Sequence, residues 1–285
     1  MGIACSKSTA MLSVLLNRYS DDGSALLSFL PEEERSAVVD MSLDSDKAMA
    51  VANFSQEALF TMHYSWISDV ISKIPEEIHG KIFSVLTDSQ LRGLGMLLKR
   101  ECKKELLPNK IRAFFIDYLF SFFDEEKNFP VEWLSSSELS SLLTCDKRML
   151  VRVIDFLGLY DLAREVPLIV DRGVLKKVYS MLSPPQRRYL KRCSRDQDKA
   201  TFPELNLRSW DGDTMKLRAT LHRRGLMRLA FAVSEESPAF IWHLCHHLDI
   251  GRAVFIERSI SKVVNSDVVA SVRLQVHNII TFLRM

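Results

Sequence analysis

The chain has 285 residues, a hydrophobic fraction of 47% and a formal net charge of +2, so it holds apolar material for one extended domain or two compact ones. Ten glycines and nine prolines are too few for a many-turned β-sandwich. Five scattered cysteines without a CxxC pair argue against a disulfide framework or a zinc module, and for reduced thiols in a cytosol-like compartment.

Helical periodicity runs through the chain. Ala10, Leu12, Val14, Leu15, Leu16 and Tyr19 give a first helix its apolar side, before the turn-like Ser20-Asp21-Asp22-Gly23. Helices are expected at 24–30, 32–43 and 46–62, then a corner at HYSW (63–66) and helices at 67–73 and 76–86. Thr87 and Gln90 have the spacing of a capping box, which predicts a helix over 88–106 stopped by Pro108. Lys110 to Phe123 reads as the next helix, and DEEKNFP (124–130) as a polar connection. Ser135–Leu143, Lys147–Arg164, 172–182 and 185–193 are again helical in pattern. The stretch 194–213 lacks a period and reads as a long loop. Four helices close the chain: Met215–Leu229, one opened by Ser237-Pro238, one after Asp249, and one from Ser266 onward.

The expected class is therefore all-α, with an N-terminal helical part at 1–123 and a C-terminal one at 131–285. A weak repeat suggests how the helices are arranged. SFLPEE from Ser28 and SKIPEE from Ser72 align without a gap, 44 residues apart, and the stretches that follow close on Asp44 and Asp88. Proline suits the first helical position and the glutamates suit the positive end of the helix dipole. The spacing lies in the range of HEAT and armadillo repeats, which predicts an irregular stack of short helices. SMLSPPQRRYL from Ser180 is a looser echo.

The overall charge hides a polarity. Residues 1–80 carry a net −7 and residues 172–228 a net +10, a division that fits distinct partners at the two ends, charge-matched docking within the molecule, or ordinary drift of solvated faces. Within the basic stretch, Arg187, Arg188, Lys191 and Arg192 form one group with Arg195, and Arg218, Arg223, Arg224 and Arg228 form another. Arg187, Arg188, Lys191, Arg192, Arg223 and Arg224 are the candidate protein-binding residues. The rival reading of 186–228 is a nucleic-acid-binding scaffold with Tyr189 as a stacking ring. An overall near-neutral chain favours a solvated face or an acidic protein partner instead.

Other motifs have competing bland readings. MGIACS matches the myristoylation pattern, with Cys5 placed for a second acyl chain, but the motif is short and only Lys7 stands nearby as a basic residue. His243 and His247 share a helical face and suggest a metal-dependent enzyme, yet no glutamate follows His243 as HExxH requires. The aromatic set Phe114, Phe115, Tyr118, Phe120, Phe122 and Phe123 reads as core with an exposed rim. The most apolar stretch, Ile111–Phe123, is short for a membrane span and is broken by Asp117. No phosphate loop, G-x-G-x-x-G or G-x-S-x-G occurs. Neither catalysis nor a cofactor is expected.

At HYSW (63–66), IPEEIHGKIFSVLTDSQLRGL (74–94) and HHLDIGR (246–252) the chain resembles the SctK-type adaptors of the type III secretion sorting platform, in the divergent form of obligate intracellular bacteria. The proline-acidic helix starts are also similar in pattern to the helical repeats of the flagellar switch protein FliG. The first resemblance implies a cytosolic, non-enzymatic, all-α protein at the inner face of the inner membrane. Its implied partners are the cytoplasmic domain of the inner-membrane ring and the spoke protein of the platform, with no nucleic acid and membrane contact only through partners. MGIACS is not part of that family's pattern.

Overall fold

The computed structural model describes residues 12, 16, 27–39, 45–123, 129–193, 203–207, 210–261 and 266–284. The MGIACS start, the rest of the first expected helix, Asp44 and Arg195 lie outside them. Among the described residues there is helix and no strand, so the chain is all-α. In chain order the α-helices are α1 (Glu32–Val39), α2 (Ser45–Thr61), α3 (Tyr64–Ile71), α4 (His79–Val85), α5 (Asp88–Leu98), α6 (Asn109–Phe120) and α7 (Lys147–Leu157). There follow α8 (Leu159–Glu165), α9 (Arg172–Met181), α10 (Pro184–Cys193), α11 (Thr214–Ala232), α12 (Pro238–His247), α13 (Ile250–Ile260) and α14 (Ser266–Arg284).

Packing divides the chain into two units, and the division is not sequential. The first comprises residues 1–135 with 237–249, and the second comprises 136–236 with 250–285. Helix α12 thus belongs with α2 to α6, although more than a hundred residues separate it from them. In the first unit α3 packs on α5, α4 on α6, and α2 on both α6 and α12. Phe54, Leu59, Ile67, Ile82, Leu94, Leu119 and Phe120 are among the side chains of its core, and Trp242 of α12 belongs to the same cluster. In the second unit α11 is the hub, touching α7, α8, α9, α13 and α14.

Helix starts follow local chemistry. Thr87 accepts a hydrogen bond from the Gln90 N–H, and the Gln90 side chain accepts from the Thr87 N–H, completing the expected capping box. The same Gln90 side chain donates to the carbonyls of Leu59 (2.7 Å) and Met62 (2.9 Å), so the cap also ties α5 to the end of α2. Ser183 and Gln186 repeat the reciprocal arrangement at α10, and Ser237 caps α12 by accepting from the Phe240 N–H.

Several expected boundaries are corrected. Helix α5 ends at Leu98 and not at 106, because Lys99 turns left-handed (φ 51°) and 101–108 runs without helix. The main chain of Glu105 is instead fastened to Ser84 of α4 by two hydrogen bonds, 2.6 and 2.7 Å long. Pro108 therefore precedes α6 and does not stop α5. Ser135–Leu143 is not an α-helix; it holds only a short 3-10 turn at Ser140–Leu142. The expected single helix Lys147–Arg164 is two, α7 and α8, joined at Gly158. Pro31 and Pro75 stand one residue before a helical turn, not in its first position. Pro75 has extended backbone angles (φ −57°, ψ 141°), which the proline ring accepts at a helix entry.

The Gly158 junction has a packing cause. A Cβ at Gly158 would collide with the main-chain carbonyl of Leu221, and one at Gly225 with that of Ile154. The corner of α7 and α8 and the middle of α11 meet backbone to backbone, and only glycine permits that approach on both sides.

Candidate functional site

The six candidate basic residues do not form one array. On α10, Tyr189, Leu190 and Cys193 are buried, and a helical turn of 3.6 residues places Arg187, Arg188, Lys191 and Arg192 on the opposite side. All four are exposed. α10 is anchored on α8 through its apolar side, where the Tyr189 hydroxyl lies 3.1 Å from that of Tyr160. Arg187 is partly committed, since its Nε donates to the Leu182 carbonyl at 3.0 Å. The result is a cationic strip of under two helical turns on a packed support.

Arg223 and Arg224 of α11 diverge by about 100° around their helix. Arg223 is exposed, whereas Arg224 donates to the Pro203 carbonyl at 2.8 Å and so clasps the 203–207 segment. That segment is also held by Glu165, whose carboxylate accepts from the main-chain N–H groups of Leu205 and Leu207. Asn206 between them is left-handed (φ 55°), which turns both N–H groups toward one anion. Arg218 is turned to the Met181 carbonyl, 2.7 Å away.

Two further expectations are corrected. Arg228 is not part of any basic surface: it is 0% exposed, with its Nη2 donating to Asp161 Oδ1 at 2.6 Å and its Nη1 to the side-chain Oε1 of Gln275 at 2.9 Å. Its guanidinium also lies over the Tyr160 ring, 5.6 Å from the centroid. Periodicity carried a signal here, because Arg228 falls on the apolar stripe of Leu217, Leu221, Gly225 and Ala232. Tyr189, the ring required for base stacking, is likewise 0% exposed. The cationic strip therefore has no aromatic platform at that position.

The histidines of α12 are built into the first unit. His243 donates from Nε2 to the Phe129 carbonyl at 2.7 Å, and its ring packs against Phe54 and Trp242. Burial pushes its pKa down. His246 lies between two indoles, 4.3 Å from Trp66 and 4.1 Å from Trp242, and donates from Nδ1 to the Trp242 carbonyl. Burial lowers its pKa to about 4, so the ring is neutral at pH 7. Among the described residues no group of three or more His, Cys, Asp or Glu side chains is arranged to hold a metal ion.

The three segments that carry the resemblance meet in this unit. The His63 N–H donates to the His246 carbonyl at 2.8 Å, and the Trp66 indole N–H donates to the Leu248 carbonyl at 3.0 Å. Gln90 holds the Met62 carbonyl, and Gly93 lies against the Tyr64 ring so closely that a Cβ has no room. HYSW, the 74–94 segment and the start of HHLDIGR are thus one packing motif. Sequence reasoning found the segments without their contact, because about 180 residues separate HYSW from α12.

An aromatic stripe was also partly legible. Phe115 and Phe120 of α6 are buried, while Phe114 is 60% exposed and stacks on Tyr118 with centroids 6.2 Å apart. Phe122 continues the row edge-on to Tyr118.

No protein-family model, curated protein or solved structure matches the chain. Among the described residues no helix is long and apolar enough to cross a membrane.

Proposed function

We propose that the chain is a non-enzymatic adaptor of a type III secretion apparatus, linking the cytoplasmic face of the inner-membrane ring to the spoke protein of the sorting platform. The reading rests on the resemblance in the HYSW, 74–94 and HHLDIGR segments. The observation that supports a binding role is the cationic strip of α10: Arg187, Arg188, Lys191 and Arg192 face solvent from a helix whose other side is fully packed. A rigid strip of like charge is suited to steer an acidic protein surface into register. Helical scaffolds work in this way, holding separate surfaces at fixed spacing without perturbed catalytic groups. A location at the inner face of the inner membrane follows from the same reading.

The experiment is a pull-down from the native cell with identification of bound proteins by mass spectrometry, repeated with Arg187→Glu/Arg188→Glu/Arg192→Glu. Ring and spoke components are expected with the wild-type chain. The triple variant is expected to lose them at low salt, with the difference shrinking as salt is raised and the charges are screened. Recovery of no secretion-apparatus protein by the wild-type chain overturns the reading. Unchanged recovery by a folded triple variant removes α10 as the contact face.

A further inference from the structure

A cleft in the second unit, separate from the cationic strip, combines ligand-sized volume with charges of both signs. It is a half-open cleft of about 480 Å³ between α7, α8, α9, α10 and α11, a size typical of small-molecule sites. Leu159, Leu182 and Leu221 give it apolar walls, and Asp155 and Arg218 give it charges of opposite sign.

The polar groups are already oriented. Asp155 Oδ1 accepts from His222 Nδ1 at 2.7 Å, and Arg252 donates from Nε to His222 Nε2 at 2.9 Å. An arginine only donates, so His222 is fixed as the Nδ1–H tautomer and neither ring nitrogen is left for a ligand. The imidazole is therefore a strut that holds Asp155. Arg218 stands one helical turn before His222 on α11, on the same face. Its Nη2 is spent on the Met181 carbonyl, which leaves the rest of the guanidinium fork as donors.

Asp155 and Arg218 thus share a cleft, yet no ion pair joins them among the described residues. The start of α10 on the same rim adds no anion donor. Pro184 and Pro185 lack an N–H, and the Gln186 N–H is taken by Ser183. Recognition of a carboxylate falls to Arg218, and recognition of an ammonium to Asp155.

We propose that this cleft binds a small zwitterion, an α-amino acid or dipeptide with an aliphatic side chain. The ammonium group meets the remaining oxygen of Asp155, the carboxylate meets Arg218, and the side chain lies against Leu159, Leu182 and Leu221. Either charge alone leaves the opposite protein charge unmatched, so single-charge analogues bind less well.

The test is isothermal titration of the full chain with L-leucine and L-leucyl-L-leucine, beside 4-methylpentanoate and isopentylamine. At least one zwitterion is expected to bind saturably, with both single-charge compounds weaker by about tenfold or more. Arg218→Gln is expected to cut zwitterion affinity about tenfold, and Asp155→Asn by a similar factor, with circular dichroism unchanged. Asp155→Asn keeps an acceptor for His222 and serves if Arg218→Gln fails to fold. The proposal is overturned by absence of saturable binding of either zwitterion, by equal binding of the single-charge compounds, or by unaltered affinity in the folded variants.

Discussion

Burial of ionisable side chains has the largest consequences at the scale of single residues. His246 is kept neutral between Trp66 and Trp242, with its pKa lowered to about 4. The unfolded chain takes up this proton as pH falls through about 6.5, and the folded chain does not until about 4. Stability is therefore fully present above pH 6.5 and is lost progressively toward pH 4, by an amount on the order of 3 kcal/mol. Urea unfolding at pH 7 and pH 5 is expected to show a steep loss in the wild type and a shallower one in His246→Phe. An equal pH dependence in both proteins contradicts this assignment.

Arg228 illustrates the other kind of burial. Removing Asp161 leaves a guanidinium inside the second unit without its counter-charge. Asp161→Leu is expected to destabilise by about 3–5 kcal/mol, whereas Asp161→Leu with Arg228→Met recovers most of the loss. Denaturant midpoints of the three proteins check this. If the double variant is no better than the single one, the cost arises from packing and not from charge.

At the scale of elements, the cap chemistry of α5 and α12 was legible in the sequence because it depends on residues three or four apart, whereas the Ser183–Gln186 cap of α10 emerged only from the structure. Thr87→Ala is expected to cost about 1 kcal/mol through the lost cap, with an added penalty if Gln90 loses its grip on Leu59 and Met62. Helix ends set by tertiary contact were not legible. Nothing within 99–106 announces that Glu105 pairs with Ser84, so the periodic pattern ran on to Pro108. The division of α7 from α8 is of the same kind: Gly158 reads as an ordinary helical glycine until Gly225 is placed opposite it. Gly225→Ala forces a methyl group into the Ile154 carbonyl and is expected to destabilise by about 1–3 kcal/mol. That exceeds the small gain in helix propensity, so a rise in melting temperature would refute the crossing.

At the scale of the molecule, the all-α class was readable from periodicity alone, but the allocation of helices to units was not. Helix α12 supplies Trp242, which touches Phe54 and Phe120 in the core of the first unit. A fragment of residues 1–135 is thus expected to lack cooperative thermal unfolding, and addition of a 237–249 peptide is expected to restore part of it. The basic residues divide similarly. The α10 strip could be read as a group because its members share one short helix. In the second group, the tie of Arg224 to the Pro203 carbonyl was not legible, whereas the burial of Arg228 beside Asp161 left its trace in the apolar stripe of α11.

The return of α12 also sets a schedule for synthesis. A ribosome that has finished residue 135 has made most of the first unit, but the indole that completes its core is still roughly a hundred residues away. At about 5–20 residues per second that is a wait of roughly 5–20 s, far longer than the time in which helices form. During this interval Phe54, Phe120 and Trp66 lack the α12 surfaces that cover them in the finished chain. Nascent chains halted before α12 should therefore be captured by holding chaperones and cut readily by protease, and chains halted well beyond it should resist both. The timing of translation, and not only the final contacts, then becomes a determinant of how much intact protein a cell obtains.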